Sequence, residues 1–148
     1  MTRSRSLALA LLLLLPAGCG PAEQAGAADG WVQLPAVPGR PAAAYMTLTG
    51  GAEDDRLLAV ELPGAGRAEL HRSMTDGHMA SMTPVAALPV PAGAEVALAP
   101  GGYHVMLHDL PASVAPGAPV ELRLRFERTG IVTATLPARA AGEGAPAR

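Results

Sequence analysis

The chain has 148 residues, of which eleven are basic and thirteen are acidic, and its formal net charge is −2. It contains neither a basic stripe nor an aromatic stacking platform, which excludes a nucleic-acid partner. The single cysteine, Cys19, lies near the amino terminus, so the rest of the chain has no disulfide and no thiolate for chemistry. The length is sufficient for one domain with a hydrophobic core.

The amino-terminal segment has the pattern of an export signal. Arg3 and Arg5 precede an apolar run at residues 7–15, and small residues follow it. Nine helical residues reach about 14 Å, against a hydrocarbon core of about 30 Å, so this run does not span a membrane. We predict that residues 1–18 are a signal peptide and that the mature protein works in the periplasm or cell envelope.

Residues 15–19 resemble the lipobox at which bacterial lipoproteins are cleaved and acylated. Pro16 departs from that pattern, because an aliphatic residue usually stands three places before the cysteine. The resemblance implies a lipid anchor on Cys19, and the alternative is an ordinary secretory signal with a cysteine near its end.

The remainder of the chain shows the period-two alternation of β-strands. Residues 19–30 and 138–148 lack periodicity and predict a flexible tether and a disordered tail around one domain at 31–137. No stretch of twelve residues keeps a helical stripe free of Gly and Pro. The pattern predicts an all-β domain, a sandwich or barrel, with strands at 43–49, 57–62, 68–73, 85–90, 95–99, 103–108, 120–126 and 131–136.

Two of these strands show which side chains face the core. In residues 120–126, apolar and charged residues alternate strictly, so one face is buried and the other is solvated. In residues 103–108, the same alternation places Tyr103, Val105 and Leu107 inside. The outward face then carries His104, Met106 and His108.

The residues that carry chemistry are histidines and methionines. All four histidines and four of the five methionines after Met1 lie between His71 and His108. Side chains at i and i+2 of a strand point the same way, about 7 Å apart at the backbone, so His104 and Met106 can converge on one ion. Imidazole and thioether donors together form a soft, neutral ligand set that favours Cu(I). A blue-copper electron-transfer site is disfavoured, because it needs a cysteine thiolate beside the histidines and the only cysteine is Cys19.

The spacing of four of these residues resembles a family signature. Ten residues separate His71 from Met82, twenty-one separate Met82 from His104, and one separates His104 from Met106. These residue types at these spacings match the signature of the PCuAC family of periplasmic copper chaperones. The resemblance extends over roughly residues 31–136. Arg72 departs from the acidic residue or methionine that many members have there, and the carboxyl-terminal segment lacks the His- and Met-rich tail of some members.

This resemblance implies a cupredoxin-like Greek-key β-sandwich in which His71, Met82, His104 and Met106 bind Cu(I). It also implies delivery of copper towards the copper centres of cytochrome c oxidase, alongside a Sco-type thiol protein. No nucleophile–base pair, glycine-flanked elbow or phosphate loop is present, so we do not expect an enzyme.

Several alternatives remain open at this point. His78, Met79 and His108 are candidate auxiliary ligands, although Met74 and Met79 lie in a turn-like stretch at 73–80 that favours a hydrophobic rim or docking surface. The protein could buffer copper without a dedicated acceptor. It could also be a β-sandwich interaction lipoprotein whose histidines and methionines are incidental.

Overall fold

The computed structural model describes residues 24–64, 66–77 and 79–145. Within this part of the chain there is no helix, and therefore none long and apolar enough to cross a membrane. The predicted signal peptide, Cys19 and His78 lie outside the described residues. Ten strands are present: β1 (Gly26–Gln33), β2 (Ala42–Thr49), β3 (Asp55–Glu61), β4 (Arg67–Asp76), β5 (Met79–Pro84), β6 (Leu88–Val90), β7 (Glu95–Leu98), β8 (Tyr103–His108), β9 (Pro119–Phe126) and β10 (Ile131–Arg139).

The strands form one open, mixed sheet in the order β5-β4-β8-β7-β2-β1-β10-β9-β3-β6. Strands β7 and β8 both pair with β2, β7 along residues 46–49 and β8 along residues 42–44. The two halves of the sheet are joined by a parallel pairing of β1 with β10, in which Val32 is opposite Ala138. A single core cluster takes buried residues from both halves, so the sheet folds into two layers. The predicted all-β sandwich is confirmed.

The core consists of the inward positions of alternating strands. In β9 the burial pattern alternates without a break, as the sequence predicts. In β8, Val105 and Leu107 are fully buried, and they pack in the same cluster as Leu48 of β2 and Leu122 and Leu124 of β9. The interior of the sandwich is therefore apolar, and the chemistry-bearing side chains lie on the opposite face of β8.

The folded region is longer at both ends than the predicted domain at 31–137. Strand β1 begins at Gly26, inside the predicted tether, and β10 ends at Arg139, inside the predicted tail. The extra residues at the start of β1 pair with β2, as in the pair Gly26–Thr49. Small residues give no side-chain periodicity, so backbone pairing alone makes them a strand.

The stretch at 73–80, predicted to be turn-like, is mostly a long β-hairpin. Strands β4 and β5 pair from His71–Pro84 to Asp76–Met79, and Gly77 after β4 is in a turn. Every residue of β5 is exposed, so the strand has no apolar face for a sequence pattern to reveal. At the start of β4, Gly66 has a φ of +80°, and a Cβ there would collide with the carbonyl oxygen of His108. That glycine lets β4 approach β8 closely.

Candidate copper site

Three neighbouring strands bring the four predicted ligands to one face of the sheet. His71 of β4 is directly opposite His104 of β8, and Met106 is opposite Glu69. On the other side of β4, Met82 of β5 is opposite Ser73. Directly paired residues of an antiparallel ladder point to the same face, as do residues two apart on one strand. The register therefore places His71, Met82, His104 and Met106 on a common surface, with His71 on the central strand.

His104 is buried, with 4% of its surface exposed, although the sequence predicts an outward-facing residue. The reason is an aromatic row on the same face: the Trp31 and Tyr45 ring centroids are 5.1 Å apart, and those of Tyr45 and His104 are 6.4 Å apart. Nδ1 of His104 is 3.0 Å from the carbonyl oxygen of Gly102, to which it donates a hydrogen bond. With Nδ1 as the donor, Nε2 keeps the lone pair that a metal requires.

Trp31 packs in this aromatic row and not in the core of the sandwich. Trp31 is buried but is absent from the core cluster, whereas its neighbour Val32 belongs to that cluster. The ring packs instead on the outer face against Tyr45, whose pKa is raised by burial. Together the two rings shield one side of His104 from solvent.

The His71 ring lies next to the His104 ring, with 6.1 Å between the centroids. Metal–imidazole nitrogen bonds are about 2 Å long, so two rings at this separation can direct nitrogen atoms at one ion. Nε2 of His71 is 3.3 Å from Oε2 of Glu69. Its Nδ1 is buried and has no hydrogen-bond partner among the described residues. A buried ring nitrogen without a partner is suited to binding a ligand that the protein itself does not supply.

The two thioethers differ in their surroundings. Met106 is partly buried and follows His104 by two residues on β8. Met82 is 50% exposed on the edge strand β5. Because β4 separates β5 from β8, the Met82 backbone is about 10 Å from β8, or two strand spacings. Three rotatable side-chain bonds allow the Met82 sulfur to lean over β4 towards the histidines.

Glu69 is a residue of this site that the sequence analysis did not include. Its Oε2 is 3.3 Å from Nε2 of His71 and 3.3 Å from Nε2 of His108, and its Oε1 is 3.0 Å from Nε of Arg67. Desolvation raises the pKa of Glu69, but Arg67, His71 and His108 together outweigh it, so the pKa is lowered. The i, i+2 spacing of Glu69 and His71 within a predicted strand is the sequence signal that could have identified it.

The candidate auxiliary ligands fall in different places. His108 lies on the same face as His104, one repeat beyond Met106 on β8, where it is close to Glu69. Met79 is paired with Asp76, and Met74 is two residues before Asp76, so both methionines point to the opposite face of the hairpin from Met82. Both are exposed. The register thus separates Met74 and Met79 from the four predicted ligands.

The donor set on this face is chemically soft and carries no formal charge of its own. Two imidazoles and two thioethers suit Cu(I) better than zinc, calcium or magnesium. Among the residues that the structure describes, no three His, Cys, Asp or Glu side chains are grouped to hold a metal ion. Arg72 points away from the face, because its guanidinium lies 5.2 Å from the Tyr103 ring centroid.

Comparison with known proteins gives one family and several solved structures. A family model described as "Putative lipoprotein LpqE-like" matches residues 27–138. No curated protein gives a significant match. The solution structure of Cu(I)-DR1885 from Deinococcus radiodurans is similar with a TM-score of 0.59 and 28% identity, covering 84% of this chain and 81% of that one.

Two further structures extend the likeness in fold. The copper-bound PCuAC domain from PmoF2 has a TM-score of 0.65 and 24% identity, covering 82% of this chain and 96% of that domain. The apo PCuAC domain from PmoF1 has a TM-score of 0.64 and 24% identity, covering 82% and 97%. These likenesses confirm the predicted PCuAC resemblance and its cupredoxin-like β-sandwich.

Proposed function

The chain belongs to the LpqE-like lipoprotein family, and on that premise we propose that it is an extracytoplasmic copper chaperone that binds one Cu(I) ion. The ligands are His71, Met82, His104 and Met106. Copper is the cargo of this site and leaves with an acceptor, so the protein carries out no reaction of its own.

The observation that carries the proposal is the direct pairing of His71 with His104 across β4 and β8. Each ring has one nitrogen next to a protein oxygen, and Nδ1 of His71 is buried without a hydrogen-bond partner among the described residues. Two methionines lie on the same face, one on each flanking strand. Imidazole and thioether together select Cu(I), because harder cations prefer oxygen ligands and zinc prefers thiolate and imidazole.

The comparisons support copper as the ion. The similar DR1885 structure is described as its Cu(I) form, and the similar PmoF2 domain is described as copper-bound. The lipoprotein family supports an envelope location. We therefore propose that Cys19 carries the lipid, that residues 1–18 are removed as a signal peptide, and that the domain works in the periplasm.

Delivery towards the copper centres of cytochrome c oxidase, with a Sco-type thiol protein as a partner, is the destination that we propose from the PCuAC resemblance. The geometry is suitable for transfer, since Met82 lies on an exposed edge strand next to the strand that carries His71. An acceptor thiolate can approach there and replace the weakest ligand first. Thiolates bind Cu(I) more strongly than thioethers do, which favours transfer in that direction.

Competition titration with a coloured Cu(I) chelator, under anaerobic and reducing conditions, tests the binding. We expect one Cu(I) per chain, and loss of this binding in the double variant His71→Ala, His104→Ala. The matched control is Met74→Leu, Met79→Leu, which removes two thioethers from the opposite face of the same hairpin. Absence of stoichiometric binding by the wild-type chain would leave only the non-metal interaction lipoprotein.

A deletion strain separates the carrier from the copper buffer. A carrier predicts loss of oxidase activity when copper is scarce, with recovery on added copper. A buffer predicts sensitivity to excess copper with normal oxidase activity, and that result would contradict the proposed delivery. Membrane association that disappears in Cys19→Ser would support the lipid anchor, and unchanged association would contradict it.

A further inference from the structure

We propose that Glu69 is a positioning residue that holds the His71 ring so that Nδ1, and not Nε2, is the nitrogen offered to copper. The proposal rests on the proposed function, because it concerns the same site. It also assigns His108, which we place as a support for the Glu69 carboxylate and not as a copper ligand.

The Glu69 carboxylate is held beside the His71 ring. Glu69 precedes His71 by two residues on β4, so their side chains share a face and a separation that a hydrogen bond can bridge. Nε2 of His71 lies 3.3 Å from Oε2 of Glu69. The other carboxylate oxygen, Oε1, is 3.0 Å from Nε of Arg67. The carboxylate is thus held between a guanidinium on one side and an imidazole on the other.

The contact with Glu69 determines the tautomer of His71. A neutral imidazole has one N–H donor and one lone pair, and an ionised carboxylate only accepts hydrogen bonds. Contact with Glu69 therefore requires the proton to be on Nε2, which leaves the lone pair on Nδ1. That Nδ1 is buried and has no hydrogen-bond partner among the described residues. The carboxylate contact and the unpartnered nitrogen point independently to Nδ1 as the metal-binding atom.

His104 has the opposite tautomer. There, Nδ1 is the donor, to the carbonyl oxygen of Gly102, and Nε2 keeps the lone pair. The two histidines thus offer different nitrogens to the same ion. In each case a fixed oxygen of the protein selects the nitrogen, which is the role of outer partners of metal-binding histidines in general.

His108 lies beside the same carboxylate. Its Nε2 is 3.3 Å from the Oε2 atom of Glu69 that contacts His71, but this approach lacks hydrogen-bond geometry, so Nε2 is buried without a hydrogen-bond partner among the described residues. Its side chain is 23% exposed, and it lies two residues beyond Met106, on the side of that methionine away from His104. The assignment of His108 therefore rests on its place on β8, opposite Arg67 and beside the Glu69 carboxylate, which leaves copper to the four other side chains.

The direct test is nitrogen NMR of the full chain with 15N-labelled histidine, before and after Cu(I) loading. In the copper-free protein we expect the proton of His71 on Nε2 and the proton of His104 on Nδ1. On loading, the large shifts should occur at Nδ1 of His71 and Nε2 of His104, with little change at His108. A proton on Nδ1 of His71 in the copper-free protein, or a loading shift at its Nε2, would overturn the proposal.

Affinity measurements separate positioning from charge. Glu69→Ala removes the acceptor and should weaken Cu(I) by about 10- to 100-fold, the usual cost of losing an outer partner of a metal ligand. Glu69→Gln keeps an acceptor oxygen and should retain most of the affinity. Equal loss of affinity in both variants would mean that the negative charge of Glu69 matters and not its hydrogen bond to His71. No loss in Glu69→Ala would mean that neither matters. Each of these results would overturn the proposal.

His108→Ala is the matched comparison. It removes one support of Glu69 and leaves the others, so its effect on Cu(I) affinity should be smaller than that of Glu69→Ala. A larger effect, with one nitrogen neighbour fewer at the copper, would show that His108 is a ligand. If the wild-type chain binds no Cu(I), the proposed function fails, whereas the tautomer of the copper-free protein still tests the Glu69 contact by itself.

Discussion

The two halves of the site differ in how firmly the fold holds them. On β8, His104 is 4% exposed, its Nδ1 is bonded to Gly102 and its ring lies beside Tyr45. On the β4–β5 hairpin, Met82 is 50% exposed and belongs to an edge strand with no buried residue. One half is in place before copper arrives. The other must order a long side chain as the ion binds.

This difference suits a carrier. A fixed histidine on a core strand lowers the conformational entropy lost on binding, because its rotamer is already set. Binding copper through a flexible thioether at an exposed edge is less favourable for the same bond, because the side chain loses conformational entropy when it becomes ordered. We expect copper to be held by β8 and released from the hairpin side. The variants below test that division, beginning with the largest expected effect.

Removing the buried histidine should have the greatest effect. His104→Ala deletes a proposed ligand and leaves a space beside Tyr45, so we expect Cu(I) affinity to fall by more than about 100-fold, or about 2.7 kcal/mol. Unfolding free energy should also fall, by about 1–3 kcal/mol. Chelator competition and urea unfolding measure the two changes. Retained affinity would contradict the central place given to β8.

A change in the other layer should alter stability without altering copper binding. Asp55 is buried, and its pKa is lowered from 3.8 to about 2: desolvation opposes this, but hydrogen bonds from Arg128, Thr129 and Arg56 outweigh it. Because the folded pKa is below the unfolded value, its contribution of about 2 kcal/mol is present above pH 4 and is lost as the pH falls through about 2.

Asp55→Asn should therefore lower stability at pH 7 and flatten its decrease between about pH 4 and pH 2. Urea unfolding at several pH values is the measurement, and Cu(I) affinity at pH 7 should stay unchanged. An unaltered pH slope would mean that the Asp55 carboxylate is not the group responsible. A change in affinity would show that the two layers are coupled.

The exposed thioether should contribute less than the buried histidine. Met82→Leu keeps the size and removes the sulfur, and we expect about a tenfold loss of Cu(I) affinity, or about 1.4 kcal/mol. Cu(II) affinity should change less, because Cu(II) prefers nitrogen and oxygen donors. Met106→Leu on β8 is the matched variant and should cost more. Equal losses in the two would remove the distinction between the halves.

The smallest effect is expected on the far face of the hairpin. Met74→Leu combined with Met79→Leu should leave Cu(I) affinity unchanged, because both thioethers point away from His71 and Met82. Stability should change by less than about 0.5 kcal/mol at these exposed positions. A measurable loss of affinity would mean that the hairpin twists enough to present both of its faces to copper.

The elements that the sequence predicted are those with an apolar face. Strand β9 alternates between core and surface, and Val105 and Leu107 of β8 belong to the core, so the side-chain directions of both strands could be predicted, and with them the common face of His104 and Met106. Strand β5 has no buried residue and the start of β1 is built of small residues, so neither gives a periodic signal. Their positions depend on backbone pairing with distant strands.

The candidate site, like the fold, could be predicted only in part. The spacing of His71, Met82, His104 and Met106 matched a family signature, and the register places them on one face. The burial of His104 could not be predicted, because it depends on the pairing that brings Tyr45 of β2 and Trp31 of β1 to the same face, which a single strand does not reveal. The bridging position of Glu69 depends on the pairing of β4 with β8, which a single strand does not reveal.

X-ray absorption at the copper edge of the Cu(I)-loaded chain tests the central claim most directly. The account predicts two sulfur and two nitrogen neighbours, with one sulfur lost in Met82→Leu and one nitrogen lost in His104→Ala. A copper ion with only nitrogen and oxygen neighbours in the wild-type chain would contradict it.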